Sequence, residues 1–298
     1  MSGKEKTSDD RIVISTWQSI YKMDPNYFDQ FDVVIGDEAH LYKAKSLTKI
    51  MEKLKNTKYR FGFTGTLDGS QTHKLVLEGL FGPVYQPVTT KKLIDDKHLA
   101  DFLIKCITLK YPEHICKQLK DYKYQDEIDF ITTYEPRNKF LSKLSIAQQG
   151  NTLVLFHLID HGKTIHDLIL TNKEKDRKLF FVYGGTDAET REQIRAIAET
   201  EDNSIIVASF GTFSTGVNIR NLHNIIFASP SKSKIRNLQS IGRGLRKGNK
   251  KEKARLIDIS DDFRYKSHVN YTLNHFSERI KIYNEERFEY KLYKMEIK

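Results

Sequence analysis

Asp37-Glu38, followed by Ala39-His40, closes an apolar run of Phe31, Val33, Val34 and Ile35 in which Asp32 is the lone charge. Such a run reads as a buried strand. Its carboxyl end, where open α/β sheets keep their ligands, then presents two adjacent carboxylates. The chemistry they suit is nucleotide hydrolysis: Asp37 holds Mg2+ through its water shell, and Glu38 orients and deprotonates the attacking water. A solvated acidic turn would look the same over four residues, so the reading depends on residues farther along the chain.

Thr64-Gly65-Thr66 follows a second apolar and β-branched run, then come Ser214 to Asn218 and the block Gln239 to Arg246. Arg243 and Arg246, three apart, project from one face of a helix, and a guanidinium fork can neutralise charge developing on a γ-phosphate. This order resembles the motif series of superfamily 2 helicases: motif II at Asp37–His40, III at Thr64–Thr66, V at Ser214–Asn218 and VI at Gln239–Arg246. With the flanking Phe81–Thr90 and Tyr271–Tyr293 segments, nearly the whole chain resembles the UvsW-type branch-migration helicases of large tailed phages.

The resemblance implies two RecA-like lobes with ATP and Mg2+ between them, and Arg243 and Arg246 as arginine fingers. His40, Thr64, Thr66 and Gln239 would couple the nucleotide to DNA. Gly216 would let the backbone approach closely, and Asn218 stands where many relatives carry an aspartate toward the ribose. The implied partners are single-stranded and branched DNA and RNA-DNA hybrids. Arg11 to Gln18 resembles motif Ib, so Ser15, Thr16 and Gln18 are expected to touch the nucleic-acid strand, together with Lys163, Thr215, Lys232 and Lys234.

One part of the pattern is missing. Helicases need a phosphate-cradling loop, G-x-x-x-x-G-K-[ST], and the sequence contains none. His161-Gly162-Lys163-Thr164 has the ending, but His157 stands where the first glycine belongs. This segment reads instead as motif IV, with Lys163 toward a nucleic-acid phosphate. The phosphate loop is expected on a missing N-terminal segment or a separate polypeptide, with the chain inactive alone. The alternatives are a catalytically dead nucleic-acid-binding remnant or a superfamily 2 translocase of another branch, restriction-type or RNA-directed.

Composition agrees. The 298 residues are 39% hydrophobic with a net charge of +10, which favours a polyanionic partner. Lys232 to Arg255 is the most basic region. The longest apolar stretch, Leu153 to Ile159, is too short to span a bilayer, and the N-terminal residues have no apolar core of a signal peptide. Cys106 and Cys116 form no CxxC pair, which suits a reducing cytoplasm.

To position these motifs the chain must alternate strands and helices, an α/β fold of doubly wound parallel sheets. Strands are expected near 12–15, 31–35, 59–64, 104–109, 153–157, 179–182, 205–208, 225–228 and 255–259. Thr186 to Glu189 reads as a capping box. Residues 1–98 would form the first lobe, incomplete, and 99–298 the second. Residues 265–298 read as a helical extension whose aromatics pack against their own domain.

Overall fold

The computed structural model describes residues 10–65, 67, 71–216, 219, 221–229, 242 and 253–297. The chain forms two compact units that divide between Pro87 and Val88.

In the first unit, β1 (Val33–Gly36) and β2 (Tyr59–Gly62) pair in parallel, with Val33 beside Tyr59 and Gly36 beside Gly62. The short α1 (Trp17–Ile20) precedes them, α2 (Lys45–Lys53) connects them and α3 (Gln71–Phe81) follows. Leu47, Ile50, Met51 and Leu54 recur at the spacing of one helical face and bury with Phe28, Tyr42 and Phe81. Strand alternation turns Val33, Ile35, Tyr59 and Phe61 to the opposite face, where they are 48–64% exposed. The expectation of a fully buried β1 therefore holds for one face only. Residues 12–15 do not form the expected strand, and Ile12 and Ile14 are exposed: a strand exists only where a neighbour completes its ladder, and none lies beside this segment among the described residues.

The second unit is built on a seven-stranded, wholly parallel sheet of order β5-β6-β4-β7-β8-β3-β9. Its strands are β3 (Asp101–Lys110), β4 (Thr152–Phe156), β5 (Leu179–Val182), β6 (Ile205–Ser209), β7 (Asn224–Phe227), β8 (Lys253–Asp262) and β9 (Tyr290–Glu296). On one face lie α4 (Thr90–Asp95), α9 (Ala188–Thr200), α10 (Phe210–Gly216) and α11 (Tyr271–Glu285); on the other, α5 (Glu113–Leu119), α6 (Tyr124–Thr133), α7 (Glu135–Ile146) and α8 (Ile159–Asn172). A strand covered on both sides needs apolar residues without alternation, hence the run Leu153-Val-Leu-Phe156 in β4. Because every strand runs the same way, the turns after all of them emerge on one rim.

β8 carries an acid into each of the two cores. Asp258 receives Arg279 Nε at 2.8 Å and the hydroxyl of Tyr283 at 2.8 Å, while Asp261 receives Arg137 Nε at 2.7 Å and the hydroxyl of Tyr111 at 2.7 Å. Burial first, then the neighbouring carboxylate, pushes both phenols well above their usual range, which keeps them as donors.

Three expectations are corrected here. The unit boundary lies at 87/88, because α4 belongs to the second unit: Ile94 and Leu99 pack on its core, and Thr90 Oγ1 donates to Glu286 at 3.4 Å. The C-terminal region is helix only to Glu285; Arg287 turns left-handed (φ 58°) and β9 follows along β3. The cap of α9 is Asp187, which accepts from the Thr190 amide at 2.8 Å, whereas the Thr186 hydroxyl accepts from Tyr183 N. No helix among the described residues is long and apolar enough to cross a membrane.

Candidate functional site

At the carboxyl end of β1 the chain turns sharply into a single 3-10 turn, Ala39–Leu41, with Glu38 in the left-handed region (φ 49°). This puts the Asp37 and Glu38 carboxylates in solvent on one turn while Ala39 and His40 bury. The turn is fixed to the end of β2 at three points. Phe63 N donates to Gly36 O at 2.8 Å, Ala39 N donates to Phe63 O at 2.8 Å, and His40 Nδ1 lies 2.9 Å from Thr64 Oγ1. Gly36 and Gly62 permit this closeness, since a Cβ on either would sit within about 3 Å of the Tyr42 or Phe81 ring. The structure thus brings together Asp37, Glu38, His40 and Thr64.

The donor set suits a hard cation. Two exposed carboxylates adjoin one another, and no group of three ligating side chains is present among the described residues, so Asp37 would hold Mg2+ largely through water.

Ser15, Thr16 and Gln18 lie at the start of α1, with Thr16 and Gln18 exposed. That segment is clamped by a residue the motif pattern does not contain. Lys53 Nζ donates to Tyr21 O and Met23 O, both at 2.7 Å, and lies over the Phe28 ring. A lysine in the last turn of an amphipathic helix carries no sequence signal for this role.

In the second unit, His161-Gly162-Lys163-Thr164 occupies the first turns of α8. Gly162 is a packing glycine: a Cβ there would lie 2.5 Å from the Phe156 ring. Lys163 is exposed at the rim, 3.7 Å from Asp160. Beneath it runs a buried polar chain. Asn138 donates to Thr132 O at 2.9 Å, which leaves Asn138 Oδ1 to accept from His161 Nε2 at 3.1 Å. His161 Nδ1 then accepts from the Ser229 hydroxyl at 3.2 Å, and Ser229 Oγ accepts from His157 N at 3.2 Å. The turn that carries Lys163 is thereby locked to the end of β7, where the chain leaves for the Gln239–Arg246 block. His157 stacks on Phe210 at the head of α10, 4.6 Å between centroids.

Burial, then the charges of Arg137 and His157, lower the His161 pKa to about 3. The native ring stays neutral while the unfolded one protonates near 6.5, so stability is present above about pH 6.5 and is lost as the pH falls toward 3. Urea unfolding of the second unit at pH 4.5 should show about 2–3 kcal/mol less stability from this group than at pH 7. His161→Gln should remove that part of the pH dependence; an unchanged pH slope would mean the ring already titrates normally.

Thr66, Asn218, Lys232, Lys234, Gln239, Arg243 and Arg246 lie outside the described residues, as does the side chain of Thr215; Thr215 and Gly216 close α10.

Comparison with known proteins matches two separate stretches of the chain. Residues 1–69 match the family of the type III restriction enzyme res subunit, and residues 136–248 match the helicase conserved C-terminal domain. The ATP-dependent DNA helicase uvsW of Enterobacteria phage T4 is 39% identical over 296 residues, 95% of this chain and 58% of that protein. The crystal structure of T4 UvsW aligns with a TM-score of 0.59 at 36% identity, over 95% of this chain and 57% of that one. The type ISP restriction-modification enzyme LlaBIII bound to DNA aligns with a TM-score of 0.63 at 14% identity, over 89% of this chain and 22% of that one, a likeness of fold alone. The chain spans somewhat less than three-fifths of the T4 relative. The fold is the α/β, RecA-like fold of helicase lobes.

Proposed function

Since the chain belongs to the UvsW-type helicases of superfamily 2, we propose that it supplies most of the moving parts of an ATP-dependent DNA translocase. Its work is to remodel branched DNA by fork or junction migration during phage recombination and repair, in the cytoplasm of the bacterial host. The observation that carries this reading is the fixed turn that joins Asp37 and Glu38 to Thr64 through His40.

When bound, ATP with Mg2+ supplies the scissile phosphate and its counter-charge. Asp37 would hold the metal through its water shell, and Glu38 would position and deprotonate the attacking water. Arg243 and Arg246 neutralise charge developing on the γ-phosphate, and Gly216 and Asn218 meet the nucleotide. Thr64, Thr66 and Gln239 relay the state of that site toward the strand held by Ser15, Thr16, Gln18, Lys163, Thr215, Lys232 and Lys234. The phosphate cradle, absent from these 298 residues, comes from an N-terminal segment or a separate polypeptide.

Fluorescence anisotropy against random-sequence single-stranded and forked DNA tests the DNA half of the proposal without ATP. Binding should be independent of sequence and tighter on forks, with a log-log salt slope of about −0.7 per neutralised phosphate on single strands. Lys232→Ala with Lys234→Ala should weaken affinity and flatten the slope by about 1.4, two phosphates' worth. No binding at low salt overturns the DNA-motor reading.

A further inference from the structure

We propose that the rim of the seven-stranded sheet carries a base-stacking ledge for single-stranded nucleic acid, formed by Tyr124, Tyr271 and His275 with Lys123 and Lys266; the proposal rests on the reading that the second unit binds nucleic acid. The aromatics of the C-terminal region divide sharply. Phe276, Tyr283 and Phe288 are buried, whereas Tyr271 is 44% exposed and meets Tyr124, itself 42% exposed. The two rings stand edge to face at 6.1 Å, and Tyr124 contacts the His275 ring at 5.3 Å.

These side chains are held in place from below. Tyr124 opens α6 and Tyr271 opens α11, and the two helix starts are joined by Glu127, which is 2% exposed. Its carboxylate accepts from Tyr271 N at 2.9 Å, Thr272 N at 2.8 Å and Asn270 Nδ2 at 2.8 Å. A negative charge at a helix N-terminus is stabilising, and here it pins the ledge. Rings fixed before binding lose little entropy when a base stacks on them.

Two exposed lysines adjoin the rings and can each meet a phosphate. Lys123 and Lys266 are exposed, and Lys266 stands at a left-handed turn tip (φ 53°) over the Tyr265 ring. Asp121 and Asp262 are paired with Lys120 and Arg264, whereas Asp126 and Asp129 bond only to the Lys123 amide and to Gln125 and keep their charge, so the rings and not net charge must carry the affinity of the ledge. Position fits as well. The ledge lies in the segments that follow β8 and β3, strands two and three places from β4 and so about 10–15 Å from it at ~4.8 Å per strand, while the Lys163 turn follows β4. One strand laid along the rim reaches both.

The test uses the full 298-residue chain and a labelled oligothymidylate. Tyr124→Ala with Tyr271→Ala should weaken binding about 10-fold or more and leave the salt slope unchanged, since the rings carry no charge; the double phenylalanine variant should retain affinity. Lys266→Ala should instead reduce the slope by about 0.7. An oligonucleotide bearing 5-iododeoxyuridine, irradiated on the wild-type chain, should crosslink to Tyr124 or Tyr271, which decides the matter even if the alanine variant misfolds. Wild-type binding with no crosslink at the ledge overturns this proposal and spares the nucleic-acid reading of the unit; no binding at all overturns both.

Discussion

Mixing the 298-residue chain with a polypeptide that carries a phosphate loop is expected to raise DNA-stimulated ATP turnover from background, and Arg246→Ala should then lower it by about 10³. The reason lies in which groups the chain contains. On the proposed function Asp37 and Glu38 of the motif II turn serve the metal and the water and the Gln239–Arg246 block brings two arginines, whereas these 298 residues hold no G-x-x-x-x-G-K-[ST] loop for the β- and γ-phosphates. On the proposed function these residues need a phosphate cradle beside them for turnover, so the 298-residue chain by itself is expected to stay at background. Glu38→Gln in the reconstituted enzyme should cost about 10²–10⁴ as the water loses its base. A coupled phosphate-release assay reads all three. Robust turnover by the chain alone, abolished by Glu38→Gln, would mean that a phosphate site of another kind exists here.

Asp261→Ala is expected to cost the second unit about 3–5 kcal/mol in urea unfolding. Asp261 is wholly buried and is the anionic partner of Arg137, which is equally buried, so its removal strands a guanidinium in the core together with the Tyr111 hydroxyl. Arg137 Nη2 also donates to Ala228 O at 3.0 Å, so one arginine ties the end of β7 to β8 across the origin of the segment that carries Gln239–Arg246. By contrast, Lys281 pairs with Glu278 with both side chains more than half exposed, and Lys281→Ala should cost about 1 kcal/mol or less. Equal losses from the two variants would show that the buried pair is no anchor.

The strands of the second unit are legible in the sequence because parallel strands covered on both faces must be apolar throughout: 179–182 matches to the residue, and the others to within a few residues at each end. Length is harder to see where the pattern turns charged, as at Asp258 to Asp262 in β8, whose acids look like a loop until their arginine partners are known. β9 escapes the sequence reading because Tyr290-Lys-Leu-Tyr-Lys-Met does not alternate, with Leu292 and Tyr293 adjacent, and aromatic and basic residues at such mixed spacing also suit a helix. The motif II turn and its link to Thr64 are legible in residue type and order. Lys53, Asn138 and Ser229 are not, since a clamp or a relay is defined by what lies opposite in space. Gly162 reads as no part of a phosphate loop, but its reason, the Phe156 ring beneath it, is purely tertiary.

The position of β3 in the sheet has a consequence for synthesis. It is the first strand of its unit to leave the ribosome, yet among the described residues its neighbours are β8 and β9, the last two. Tyr111, just past β3, waits for Asp261, 150 residues later. At roughly 5–20 residues per second that interval is on the order of 10–30 s, during which Phe102, Ile104 and Leu109 have no ladder to join. The strands β4 to β7 can pair among themselves in the meantime, so the nascent unit passes through a stage with a formed centre and an orphaned first strand, open to chaperones or to premature association until the C-terminal residues close it.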